Sequence, residues 1–556
     1  MLQRWIVCFF VAVLSTAQVA MAQQPIQKGW HLLDEEQDGY YGISLQKAYD
    51  FLKGRKSQPI VVAVIDSGID TTHEDLKPIL WRNTKDNNAN GIDDDNNGYP
   101  DDALGWNFLG NRNGENVEKE SAEAARLFHA LAPQFDNRQI DSNLLSPEAR
   151  ADFRLWLQVQ KAVTVTEEDR FILKILNATS RTMLQYDSII AAQWNKHEFT
   201  PIELESFVPQ SAEARKAKLN LLRIYTLLQV EPDQTNVEFM EGMREFIQQK
   251  EDIIYLREQP ATNYRLQITG DDENSWQSRN YGNADVMAGS AMHGTHVAGI
   301  IAAVRNNGLG IDGIADNVRI LPLRVVPNGD EHDKDVALAI RYAVDQGASI
   351  INMSFGKGLS PQKHWVDDAI AYAASKNVLL VHAAGNDAAF LDTVPQYPTP
   401  FLNNGTIAPN FITVGASSDM SIKGGLIADF TNYGRQTVDV MAPGVKIYAT
   451  VPTGNKYAFL QGTSMAAPVV SGIAAILRSY FPQLTAIEVK QVIEQSVDTR
   501  HSDKVFPKPG GEKKETLTLR EACKTGGVVN AYNAVQLAAQ LTDSKHNSKS
   551  VTPSNQ

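Results

Sequence analysis

An α/β fold on a doubly wound parallel sheet, carrying an inserted, mainly α-helical subdomain, is what this sequence predicts. Short, largely apolar stretches recur along the chain (Val61–Ile65, Arg319–Val325, Ser349–Gly356, Val378–Asn386, Phe411–Val414) and read as buried strands. Helical stretches separate them. Residues 111–261 contain no such run and keep a helical apolar period instead, as in Phe171, Ile172, Ile175, Leu176, Met183 and Leu184.

Taken in order, residues 1–22 read as a signal peptide: Arg4 is the cation, Ile6–Leu14 the apolar core, and Ala20-Met21-Ala22 the cleavage site. The core is too short to cross a membrane. Its loss removes one cation, taking the formal charge from −13 to −14, and removes Cys8, leaving Cys523 without a disulfide partner. Residues 23–58 form an N-terminal extension with a short lead-in helix over Gly42–Tyr49. The strand Val61–Ile65 ends in Asp66. An acidic loop, Asp86–Asp102, follows. Within 111–261 the pattern predicts helices at Glu118–Leu131, Pro147–Val163, Glu167–Trp194, Glu213–Leu228 and Val237–Leu256, with starts at Ser146-Pro147-Glu148 and Ser211-Ala212-Glu213. Later come an apolar helix opened by His293-Gly294-Thr295-His296, the remaining strands, a helix opened by Gly462-Thr463-Ser464, closing helices at Leu484–Ser496 and Asn530–Leu541, and a polar tail, 542–556, expected to be disordered.

Hydrophobic content of 43% and charged content of 21% describe a soluble globular chain. The acidic balance disfavours nonspecific binding to nucleic acid.

Three motifs carry the chemistry. A serine hydroxyl is a weak nucleophile until a base takes its proton and a third group orients that base. Ser464 opens an apolar helix, where unpaired N–H groups favour a developing anion. Pro468 is tolerable there if it falls in the first turn. His293 begins its helix, while His296 lies one turn in and reads as structural. Asp66 ends a buried strand and suits the orienting role. Asp70 suits a local turn bond. A Gly-Thr spacer between the histidines argues against a zinc pair.

The order Asp66, His293, Ser464 resembles that of the subtilisin-like serine peptidases, the subtilase family. The resemblance covers 59–110 and 262–541. It implies that Asn386, in Ala383-Ala384-Gly385-Asn386, donates to the tetrahedral oxyanion beside the Ser464 N–H. It implies that Ser354, Phe355 and Gly356 pair with substrate backbone and line one wall of the primary pocket, with Ala383, Ala384 and Gly385 as the other wall. Such small or apolar walls imply a bulky apolar residue before the scissile bond. Structural calcium is a further implication, held by Asp75, Asn307 and the carbonyls of Leu309 and Ile311. Separately, the acidic loop twice follows EF-loop positions: Asp86, Asn88, Asn90, then Asp93, Asp95, Asn97, without the closing Glu. A second calcium site and a solvated acidic turn both fit that pattern.

The expected function is a secreted or periplasmic serine endopeptidase acting on polypeptides, with no organic cofactor. Its base must be neutral, so activity should fall below about pH 6. The extension is too short for the propeptide usual in secreted members. The segment 111–261 reads first as a surface bundle in a tolerant loop. It also suits a lid, a substitute for the propeptide or a docking module for a protein partner. Alternatives are a dedicated processing protease or peptide ligase gated by this segment, and an inactive binding scaffold.

Overall fold

The computed structural model describes residues 26–136, 138–228, 230, 234–255, 261–277, 279, 281–422, 424–511 and 514–549. The expected signal peptide lies outside them.

Seven strands form one parallel sheet: β1 (Ile60–Asp66), β2 (Trp106–Asn107), β3 (Val318–Arg324), β4 (Ala348–Met353), β5 (Leu379–Ala383), β6 (Phe411–Ser417) and β7 (Val440–Pro443). Their order is β2-β3-β1-β4-β5-β6-β7. The chain leaves β1 toward one edge and returns beside it at β4, which makes the sheet doubly wound. Both faces are covered, which is why the strands read as unbroken apolar runs. Along β1, Val62 and Val64 face one core, while Ala63 and Ile65 face the other. β8 (Ile447–Val451) and β9 (Lys456–Leu460) form an antiparallel hairpin.

Before the sheet come α1 (Glu35–Asp38) and α2 (Leu45–Leu52). α2 begins at Leu45 rather than Gly42. Ser44 has φ +56°, and a side chain on Gly42 would sit 2.6 Å from the Trp30 carbonyl.

Residues 111–261 contain α3 (Glu123–Phe135), α4 (Pro147–Ala162), α5 (Glu167–Trp194), α6 (Pro201–Ser206), α7 (Ala212–Leu228) and α8 (Asn236–Tyr255). Caps fix their starts: Ser146 accepts from the Ala149 N–H, and Thr166 forms a reciprocal box with Asp169. α3 starts five residues later than expected because the preceding chain is extended. Asn328 N–H donates to the Glu118 carbonyl at 2.8 Å, and Glu120 N–H donates to Asn328 at 2.9 Å. Two cores form. α5 to α8 bury Leu173, Met183, Ile190, Phe199, Leu221 and Tyr225 among themselves. α3 and α4 pack Phe128, Leu131, Phe135, Trp156 and Val159 around Leu359, a residue that follows β4.

α9 (Tyr264–Thr269) leads back to the sheet. α10 (Met292–Ala302) and α13 (Thr463–Tyr480) pack in one of its cores, α11 (Asp333–Asp345) and α12 (Lys363–Ser375) in the other. α14 (Ala486–Gln495), α15 (Leu519–Ala522) and α16 (Ala531–Lys549) complete the chain. α16 continues into the stretch expected to be disordered from 542, where the Thr542 hydroxyl is buried and bonds the Ala538 carbonyl at 2.9 Å. Among the described residues no helix is long and apolar enough to cross a membrane.

Candidate active site

The site forms at the carboxyl ends of adjacent strands, where open α/β sheets place ligands. Asp66 ends β1, Ser354 follows β4, and Asn386 follows β5. His293 and Ser464 arrive from the first turns of α10 and α13.

Asp66 is buried, and its Oδ1 lies 2.8 Å from His293 Nδ1. The same oxygen accepts the Ser67 N–H at 2.7 Å. Gly294 permits this approach: a Cβ there would stand 2.2 Å from the Gly68 carbonyl and 3.1 Å from Asp66 Cβ. His296 is turned away and buried, with Nε2 on the Ala458 carbonyl at 3.1 Å; burial pushes its pKa down to about 3. Asp70 Oδ1 accepts the Thr72 N–H at 2.8 Å, the local turn bond, and the Asp70 N–H donates to Thr295 Oγ1 at 2.8 Å.

Ser464 is half-buried. Its hydroxyl donates to the Ser354 carbonyl at 3.0 Å. Pro468 is the sixth residue of α13, not part of its first turn. A residue with an N–H there would bond the Ser464 carbonyl four positions back. The Ser354 hydroxyl takes that place instead, donating at 2.9 Å. Asn352 Nδ2 in turn donates to Ser354 Oγ at 2.9 Å.

Asn386 is exposed. Its Oδ1 accepts the Thr463 N–H at 2.9 Å and the Thr463 hydroxyl at 3.0 Å. With the oxygen engaged, the amide NH2 is the half left to donate. Gly385 N–H donates to Thr463 Oγ1 at 3.0 Å. Asn432 braces this wall: Nδ2 donates to the Ala384 carbonyl, and Oδ1 accepts from Asp387 and Ala389. Sequence reasoning gave Thr463 and Asn432 no role. Their position beside Ser464 and in Asp429–Gly434 was the only signal.

Ala383 and Ala384 are buried, and Phe355 and Gly356 are half-buried. Phe355 packs on the core shared with α11 and α12. Its carbonyl meets His382 Nε2 at 2.8 Å, and burial lowers the His382 pKa to about 4.

At the two cation candidates the structure keeps the expected carboxylates in place but turns the asparagine amides elsewhere. Asp75 is fully buried, and burial raises its pKa. Asn307 Nδ2 donates to its Oδ1 at 2.5 Å, and the Tyr457 hydroxyl to its Oδ2 at 3.0 Å. The Asn307 oxygen accepts the Leu309 N–H at 2.9 Å, so the amide presents nitrogen, not oxygen, to Asp75. Ile311 stands in the same loop. In the acidic loop, one carboxylate oxygen each from Asp86, Asp93 and Asp95 lies within 4.8 Å of the others. Asp86 is buried, burial raises its pKa, and its Oδ1 has no hydrogen-bond partner. The three asparagines do not join them. Asn88 and Asn90 turn their amides to Asp94 Oδ2, and Asn97 turns to Asp102 Oδ2, because each carboxylate draws the nearest donor.

Comparison with known proteins agrees with this geometry. The profile described as "Subtilase family" matches residues 57–107 and 188–519. A thermophilic serine proteinase of Bacillus sp. strain AK1 is 43% identical over 207 residues, 37% of this chain and 47% of that protein. Thermitase of Thermoactinomyces vulgaris is 40% identical over 207 residues, 37% of this chain and 67% of thermitase. An extracellular protease of Xanthomonas campestris pv. campestris is 32% identical over 289 residues, 48% of this chain and 44% of that protein. The chain thus spans about half the length of the first and third relatives. A match over most of the chain, with Asp66, His293 and Ser464 at the carboxyl edge of one parallel sheet, places this protein in the subtilase family.

Proposed function

We propose that this chain is a secreted serine endopeptidase. The observation that carries the reading is the 2.8 Å contact of Asp66 Oδ1 with His293 Nδ1, beside a serine at a helix N-terminus. Ser464 Oγ attacks the substrate carbonyl carbon as its proton passes to His293 Nε2. Asp66 holds the ring's tautomer and stabilises the imidazolium. The oxyanion accepts hydrogen bonds from Asn386 Nδ2 and the Ser464 N–H. Collapse breaks the C–N bond, and His293 returns the proton to the leaving amine. Water then repeats the sequence on the acyl-enzyme. In the resting structure the Ser464 hydroxyl points to Ser354, so attack begins with its rotation toward His293.

Substrate backbone pairs with Ser354–Gly356, between that segment and Ala383–Gly385. Main-chain pairing supplies affinity for many sequences, and small pocket walls favour a bulky apolar residue. Calcium is the structural cofactor. It suits Asp75, a buried carboxylate whose partners are neutral donors, and Asp86, whose buried oxygen lacks a partner. Bound there, it would neutralise these carboxylates. Export is supported by the leader-like residues 1–22 and by the extracellular relative.

The test is labelling of residues 23–556 with a fluorophosphonate, beside Ser464→Ala. Label on the wild type alone is expected. No label on the calcium-loaded wild type would overturn the reading in favour of an inactive scaffold.

A further inference from the structure

The chain leaving the substrate-pairing segment packs directly against the first two helices of segment 111–261. Lys357 follows Gly356 and is buried. Its backbone is fixed on one side by Tyr397, with Lys357 N–H donating to the Tyr397 carbonyl at 3.1 Å and Tyr397 N–H donating back at 2.9 Å. Its ammonium meets Glu123 Oε2 at 2.7 Å, Asp333 Oδ1 at 3.0 Å and the Glu331 carbonyl at 2.7 Å. Glu123 is the first residue of α3 and is itself buried. Its Oε2 also takes Arg126 at 2.7 Å, and its N–H donates to Asp330 Oδ2 at 2.7 Å. Two residues beyond Lys357, Leu359 sits inside the α3–α4 core with Phe128 and Trp156. Upstream, Glu118 and Glu120 pair with Asn328, and a side chain on Gly329 would strike the Glu120 carbonyl at 2.0 Å.

We propose that the α3–α4 hairpin is part of the substrate-binding machinery, with Glu123 as the positioning residue that fixes Ser354–Gly356 through Lys357. The inference rests on the peptidase reading above. A strand that accepts peptide main chain must hold its own amides and carbonyls at fixed height and register. The peptidase core fixes the β4 end of this segment through Asn352 and His382. At the far end Tyr397, Asp333 and the Glu331 carbonyl hold Lys357 from the peptidase side, and the hairpin adds the Glu123 carboxylate and the apolar anchor around Leu359. Burial alone would raise the Glu123 pKa; Lys357 and Arg126 outweigh it and hold the carboxyl at about 2, so the pair stays ionised at neutral pH. Breaking one partner of such a pair leaves the other charge buried and displaces the backbone that carries it. The segment is then no passive surface growth. Its first hairpin sets how extended peptides lie.

The experiment uses the full chain with Glu123→Gln, which keeps size and removes charge, and the double variant Glu123→Gln/Lys357→Met. Each is measured on a tetrapeptide amide and on a single-residue ester that reaches Ser464 without strand pairing. Glu123→Gln should lose at least about tenfold more kcat/KM on the tetrapeptide than on the ester, mostly in KM, the scale of one charge-assisted hydrogen bond. The double variant should recover part of that difference. Equal losses on both substrates, or none, overturn the proposal. A wild type inactive on both overturns the peptidase reading instead. If Glu123→Gln does not fold, hydrogen exchange of the wild type carrying a tetrapeptidyl chloromethyl ketone decides. Protection should extend from 354–358 into 123–135, and protection confined to 354–358 overturns the proposal.

Discussion

The Ser354 hydroxyl donates to the Ser464 carbonyl at 2.9 Å, and the Ser464 hydroxyl donates to the Ser354 carbonyl at 3.0 Å. The first bond supplies the donor that Pro468 lacks. The second parks the hydroxyl of the proposed nucleophile. One serine thus completes the helix that carries the other.

Ser354→Ala should therefore leave the Ser464 carbonyl unpaired and cost about 1–3 kcal/mol. Adding Pro468→Ala restores an intrahelical donor and should return part of the loss. Denaturant unfolding of both single variants and the double variant measures the coupling. Strict additivity would contradict it.

Thr463 holds the Asn386 oxygen, and in the proposed mechanism this decides which end of the amide faces the oxyanion. Thr463→Val removes the hydroxyl donor and should lower kcat by about tenfold with KM little changed. Asn386→Ala should cost about 10²–10³ in kcat, a range established on a subtilisin. Steady-state kinetics on a peptide amide reads both. An unchanged kcat for Thr463→Val would show that the backbone N–H alone fixes the amide.

His31, His296 and His382 are buried, and burial depresses their pKa values to about 3, about 3 and about 4. In the unfolded chain they take up protons below about pH 6.5. Between those limits the unfolded state binds more protons, so stability rises with pH. Acidification from about pH 6.5 should lower the unfolding midpoint progressively, with the histidine contribution exhausted near pH 3. A midpoint constant from pH 7 to pH 4 would refute this.

Chelation of calcium should lower Tm, and added calcium restore it. At a hundredfold excess over Kd a single site contributes about 2.7 kcal/mol. The carboxyls of Asp75 and Asp86 have raised pKa values, so without a cation their ionisation costs stability as pH rises. The calcium effect should accordingly grow from pH 4 to pH 7. Calorimetry on Asp75→Asn and Asp86→Asn separates the two loops: each variant should lose part of the response.

Much of this was legible in the sequence, for identifiable reasons. β1, β4 and β5 are buried on both faces, so their apolar runs stand out. The helices of 111–261 announce themselves by period and by caps at Ser146 and Ser211, which accept the Ala149 and Ala214 N–H. Asp66, His293 and Ser464 sit in short motifs whose residue types are set by close approach, as at Gly294. What was hidden depends on partners far apart in sequence. Pro468 looked harmless by position, yet its cost is met by Ser354, 110 residues from the carbonyl it caps. Thr463 and Asn432 act through hydrogen bonds that leave no periodic trace. The extended start of α3 is imposed by pairing with Asn328, against a sequence that favours helix from Glu118. The acidic loop showed its spacing but not its geometry, because its asparagine amides turn to the carboxylates of Asp94 and Asp102, which the spacing does not single out.

Among the described residues, the core of α5 to α8 draws only on residues between 165 and 254. A core closed on itself melts by its own balance of burial and chain entropy. Heating this protein is then at least two cooperative events, and a calorimetric trace should resolve a transition that leaves fluorophosphonate labelling of Ser464 intact. Stability measured by helix content and stability measured by activity would describe different parts of one chain.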